Sequence, residues 1–90
     1  MGADWAPALR TLAEKESSLN PGAVNPTAVG SEHATGLMQT LPSTFNSYAG
    51  EGHGDIYNPV DNLIASIGYI KQRYGTPWNA LNGWESRGGY

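Results

Sequence analysis

The chain has 90 residues, no cysteine and a formal net charge of −3. That length holds one small domain, burying roughly 60–65% of its unfolded surface, with no disulfide or thiolate metal site to reinforce a modest core. The acidic balance and the lack of a basic stripe argue against nucleic acid or an anionic membrane as partner, and no run approaches the ~20 apolar residues of a membrane span.

From Asp4 to Pro21 the sequence reads DWAPALRTLAEKESSLNP. Asp4 reads as an N-cap, and Pro7 falls in the first turn, where a missing N–H does no harm. The helix is expected to run to about Ser18, because Asn20 precedes Pro21 and is pushed out of the helical region. At about 100° per residue, Trp5, Leu9 and Leu12 share one face, with Ala8 and Ala13 at its margins. Glu16 falls on that face, about 20° from Trp5, whereas Glu14 points about 180° away. A carboxylate that ends an apolar stripe is a local conflict, and burial favours the uncharged form that a general acid needs. Taken alone, the position also fits a glutamate facing water or paired with a nearby Lys or Arg. Ser17 and Ser18 read as partners for end-of-helix backbone groups rather than as catalytic hydroxyls, since neither His33 nor His53 stands at a spacing that makes it their base.

Pro21 to about Thr35 holds two prolines and two glycines, which predicts a loop or small hairpin, and its place beside Glu16 favours a functional one. Pro42 opens a second helix holding Phe45 and Tyr48, which Gly50 ends. Glu51 to Tyr57, EGHGDIY, is another glycine-rich loop. Asn58 caps the strongest helix of the chain, Pro59 takes its first position and Gly75 closes it. Val60, Leu63, Ile64, Ile67, Ile70 and Tyr74 form its expected core face. Thr76-Pro77 starts a short last helix through Trp78 and Leu81. His33 and His53 lie in separate loops without ligand spacing, so neither a metal site nor a cofactor is expected.

Three stretches belong together: ESSLNP at Glu16 to Pro21, GLMQ at Gly36 to Gln39, and NPVDNLIASIGYIKQRYG at Asn58 to Gly75. In this order and separation they resemble the soluble lytic transglycosylase (SLT) domain of the lysozyme-like superfamily, which includes goose-type lysozyme. In detail they are similar to the versions found in phage tail and tape-measure proteins. The resemblance implies a mainly α, lysozyme-like small domain, with the loop or short hairpin lining a groove for the glycan strand of peptidoglycan. Glu16 matches the single catalytic acid/base. Asn25 matches a small polar residue set against the muramyl acetamido group, although it also suits a turn before Pro26. Gly36 lets backbone approach the sugar or permits a turn. Met38 offers a pliable apolar floor and Leu37 a core anchor. Gln39 matches the glutamine lining the site; alone it reads as a surface residue or cap. Tyr57 and Tyr69 can stack on sugar faces, Tyr69 equally serving as packing. Many relatives carry Ala-Tyr-Asn after the last long helix. Here Asn82 matches the asparagine, Leu81 stands in the tyrosine's place, and Trp84 or a residue outside these 90 is the candidate substitute.

The implied function is cleavage of the bond between N-acetylmuramic acid and N-acetylglucosamine with formation of 1,6-anhydromuramyl ends. A muramidase using water would need a second carboxylate, for which Glu32, Glu51 and Asp55 are the candidates. A domain that binds glycan without cutting it, or a structural piece of a virion, is the third reading. The domain is read as residues 1–90, with the clearest pattern over 4–75 and with 85–90 as a tail or connection into a larger phage tail or secreted protein. No basic region followed by an apolar core marks a secretory signal, so delivery to the cell wall by a larger, virion-associated assembly is the expectation. A monomer is the default for so small a groove-bearing domain.

Overall fold

Prolines set where the helices begin. In the computed structural model, which describes residues 3–84, four helices start at or beside one: α1 (Ala6–Ser17), α2 (Pro42–Tyr48), α3 (Pro59–Arg73) and α4 (Pro77–Asn82). Proline fits there because its fixed φ is already helical and the first-turn N–H groups have no intrahelical partner. Between α1 and α2 lies one antiparallel hairpin, β1 (Val24–Val29) and β2 (Glu32–Thr35). This is a small, mainly α domain, compatible with the lysozyme-like expectation.

Asp4 is not the cap of α1. A 3-10 turn, Ala3–Trp5, leads directly into the helix, and no side chain caps its first N–H groups. The helix ends one residue earlier than expected and by a different device. Ser18 and Leu19 both take left-handed backbone (φ 55 and 62), so their N–H groups turn back onto the carbonyls of Glu14 (3.0 Å) and Ala13 (3.4 Å). This reversal closes α1 before the restriction imposed by Pro21 is reached.

The hairpin expected as one option is formed, with Val29 opposite Glu32 and a two-residue turn in which Gly30 adopts φ 64. Pro26 cannot donate to a ladder, and the pairing is irregular between Val24 and Ala28 around it. Glu32 ties the hairpin to α2. Its two carboxylate oxygens accept from the Ser43 backbone N–H and hydroxyl, both at 2.7 Å, so a residue 11 positions upstream caps the helix.

For α3 the two ends are as expected. Asn58 Oδ1 accepts from Val60 and Asp61 N–H groups (2.9 and 3.2 Å), and Gly75 takes φ 84 just beyond the helix. The core face is rotated from the expected one. Val60 is 57% exposed, Leu63, Ile64, Ile67 and Tyr74 are half-buried, and the buried residues are Asp61, Asn62, Ala65, Ser66 and Ile70. Small and polar residues occupy that line because polar backbone of the 35–40 segment packs directly on it, as the site geometry shows. The large apolar residues flank it: Ile64 faces Gly50, and Tyr48 covers Gly68.

One core joins α1, α3 and α4 to Met38. Leu9, Leu12 and Ala13 of α1 meet Met38, Ile70 of α3 and Ala80 of α4. Leu12, Met38 and Ile70 are wholly buried, and burying side chains of this kind contributes about 1.5–3 kcal/mol each.

Candidate active site

The helical periodicity of α1 divides its two neighbouring glutamates as expected. Glu14 is exposed and pairs with Arg10 at 3.1 Å, one turn back. Glu16 is half-buried at the edge of the core, in the last turn of the helix. Its Oε2 accepts a hydrogen bond from the indole N–H of Trp84 at 2.9 Å, across 68 residues of sequence. The Trp84 ring also lies beneath the ammonium of Lys15, 5.0 Å from its centroid, and packs against the core.

The next residue, Ser17, joins α1 to the Gly36–Gln39 turn. Its hydroxyl proton is shared between the Leu37 carbonyl oxygen (2.6 Å) and the Ala13 carbonyl oxygen (3.1 Å). The second bond is the expected end-of-helix role; the first, shorter one was not foreseen. It sets the carboxylate-bearing end of α1 against the GLMQ turn.

That turn is closed by reciprocal backbone bonds between Thr35 and Thr40, each 3.0 Å. Within it, the N–H of Gln39 donates to the Gly36 carbonyl at 3.1 Å and that of Gly36 to the Ala23 carbonyl at 2.7 Å. Gln39 takes φ 52, a left-handed conformation rare outside glycine. Its side-chain amide holds it there, donating to the carbonyls of Ala23 (3.1 Å) and Gly36 (3.0 Å).

Asn62 of α3 is the buried support of this turn, and the sequence reading missed it. Its Nδ2 donates to the carbonyls of Thr35 (3.1 Å) and Ile56 (2.9 Å), while its Oδ1 accepts from Met38 N–H (3.0 Å) and the Thr40 hydroxyl (3.3 Å). Thr40 shares a further 2.8 Å hydroxyl contact with Ser66, one turn along α3. Every polar atom of the Asn62 side chain is therefore used. The available signal was Asn62 and Ser66 at i and i+4 on either side of Ala65, a polar line inside an apolar helix.

One expectation for this turn is corrected. Met38 is not a floor for sugar: it is 0% exposed, its N–H fixed on Asn62, and it fills the core. Leu37 beside it is half-buried and packs against the core, in keeping with its reading as an anchor. Gly36 is also buried, with φ 87, and a Cβ there would meet Asn62 Nδ2 and stand 2.6 Å from the Ile56 carbonyl oxygen. Of its two expected roles the turn is formed, and its smallness also lets α3 approach.

Gln39 and Tyr69 do come together, lining a cleft of about 70 Å³ with Thr40, Leu41 and Thr44. Tyr69 also sits edge-on between Tyr48 (centroids 6.0 Å apart) and Tyr74 (6.3 Å). Burial pushes its phenol above the ordinary tyrosine range, helped by Tyr74 and opposed by Arg73. Asn25 is exposed and turns its side-chain oxygen onto Thr27 N–H at 2.9 Å, the turn role that Pro26 suggested. Tyr57 is exposed ahead of α3, and Asn82 is exposed at the end of α4.

Of the loop carboxylates, Glu32 caps α2, Asp55 accepts from Tyr57 N–H at 3.0 Å, and Glu51 is exposed. His53 is half-buried and contacts Asp61 at 2.7 Å, and His33 contacts the Asn25 carbonyl at 2.9 Å. Among the described residues no group of three or more acidic or histidine side chains is placed to hold a metal ion.

Comparison with known proteins agrees with the stretches that form this unit. The family model described as Transglycosylase SLT domain matches residues 1–90. The uncharacterized protein YqbO of Bacillus subtilis (strain 168) is 48% identical over 75 residues, which is 80% of this chain and 5% of that protein. No solved structure matches.

Proposed function

We propose, since this chain belongs to the Transglycosylase SLT domain family, that it cuts the glycan strand of peptidoglycan with Glu16 as the single acid/base. Glycan cleavage of the lytic transglycosylase type is what the family brings; the residue and the product are our reading. Glu16 protonates the oxygen linking N-acetylmuramic acid to N-acetylglucosamine, and that C–O bond breaks as an oxocarbenium-like centre develops. The muramyl acetamido group assists from within the substrate. The carboxylate then takes the proton of the C6 hydroxyl, which closes on the anomeric carbon as a 1,6-anhydro ring. An intramolecular nucleophile has a high effective concentration and needs no second carboxylate.

The observation that carries this reading is the setting of Glu16: half-buried, held at Oε2 by Trp84, on a helix end tied through Ser17 to the Gly36–Gln39 turn. A water-using muramidase of the inverting kind would need a partner carboxylate about 6.5–9.5 Å away. Both oxygens of Glu32 are engaged in capping α2 and Asp55 accepts from Tyr57 N–H, which leaves the exposed Glu51 as the carboxylate that the hydrolytic alternative would draw on. In this reading the glycan strand passes Glu16, with Asn25, Gln39, Tyr57, Tyr69 and Asn82 as its candidate contacts. Because the matched stretch is 5% of the Bacillus subtilis relative, we place this domain in a far longer protein that carries it to the cell wall, as a phage tail protein would.

Mass spectrometry of digested peptidoglycan tests the proposal. Anhydromuramyl ends, lighter than reducing ends by one water, are expected from the unmodified chain and disappear in Glu16→Gln. Reducing ends would make it a muramidase, and binding without cleavage would make it a non-catalytic glycan module.

A further inference from the structure

A tryptophan 68 residues away from Glu16 donates its only polar hydrogen to that carboxylate. An indole N–H donates and never accepts, so the contact selects Oε2 as an acceptor and fixes the rotation of the carboxyl group. The ring is restrained from two further sides, by the core against which it packs and by the Lys15 ammonium over its face. A cation over an indole face is attracted by the ring's electron density, and drawing that density toward itself makes the N–H a better donor. Two consecutive residues of α1, Lys15 and Glu16, thus hold the face and the edge of one side chain.

We propose that Trp84 is the positioning residue of the site: its N–H aims the Glu16 carboxyl group, and Lys15 holds the indole that does so. This rests on the reading of Glu16 as the acid/base. It gives a stated role to the candidate substitute for the missing Ala-Tyr-Asn tyrosine, which lies in the chain beyond α4. A carboxyl group free to rotate would meet the glycosidic oxygen in fewer orientations, so the loss should appear in kcat and not in KM.

The experiment compares the unmodified chain with Trp84→Phe, which keeps an aromatic ring beneath Lys15 but has no N–H. On peptidoglycan fragments, kcat is expected to fall about 10- to 100-fold with KM and Tm near those of the parent. Trp78→Phe, at an exposed tryptophan of α4, is expected to retain the parental kcat. Independently of activity, the Trp84 indole N–H proton resonance, assigned by its loss in Trp84→Phe, should move in Glu16→Ala while those of Trp5 and Trp78 stay. Full kcat in Trp84→Phe, or an indole signal indifferent to Glu16→Ala, overturns the proposal. An inactive parent whose Trp84 signal still responds to Glu16→Ala overturns the functional reading and leaves the pairing standing.

Discussion

Ser17 Oγ lies 2.6 Å from the carbonyl oxygen of Leu37, 20 residues away, and that bond joins the helix carrying Glu16 to the turn that follows the hairpin. Ser17→Ala leaves a part-buried carbonyl without this donor. A loss of about 1–2 kcal/mol is expected, or roughly 4–16 °C in Tm for a domain of this size. Thermal denaturation measures it. Cleavage should fall by more than the unfolded fraction accounts for, because the carboxylate loses its reference to the turn.

Asn62→Asp keeps the size of the side chain and its two acceptor contacts but replaces a double donor with an acceptor. The carbonyls of Thr35 and Ile56 would then face a carboxylate oxygen in the core. Leaving buried acceptors unpaired costs about 1–3 kcal/mol each, so destabilisation of about 2–6 kcal/mol is expected by urea titration. A near-normal midpoint would mean that the buried network does not hold the turn.

Gly36 and Gly52 separate backbone strain from crowding. Both take positive φ (87 and 76), but a Cβ at Gly52 meets nothing within 4 Å, whereas one at Gly36 runs into Asn62 and the Ile56 carbonyl. Gly52→Ala is expected to cost about 1 kcal/mol for the left-handed conformation alone. Gly36→Ala should cost that plus about 1–3 kcal/mol of overpacking. Equal losses would show that the close approach relaxes freely.

Tyr69 links packing to alkaline stability. Its phenol is held above the ordinary range, chiefly by burial, so the folded state keeps the proton more tightly than the unfolded chain. That contribution is fully present below the unfolded tyrosine value of about 10 and is lost as pH rises through the folded one. Tm of the unmodified chain should therefore decline above about pH 10 more steeply than that of Tyr69→Phe. Parallel declines of the two proteins would remove Tyr69 from the account.

Some of the site was legible before any coordinates. The different fates of Glu14 and Glu16 follow from a 100° step and the positions of Leu9 and Leu12. The motif paired Gly36 and Gln39 as residues near the sugar, and their contacts within the protein, to Asn62 and to the Ala23 carbonyl, were not part of it. Asn62 was overlooked because large apolar residues dominate the periodicity of α3, while its buried line is made of small and polar ones. Met38 lies deeper in the core than its motif role implies, for a similar reason. Its burial follows from the turn that the Asn62 contact to the Met38 N–H fixes.

By itself the sequence determined where helices start, through proline and Asn58, and which glutamate of α1 meets the core, through spacing. These are local matters, set within a turn or two of backbone. Only the tertiary structure decided that Glu32 caps α2, that Asn62 supports the turn and that Trp84 reaches Glu16. Such contacts join residues 11 to 68 positions apart. Donor and acceptor directions set by the folded chain select those partners, and no helical or strand period encodes them.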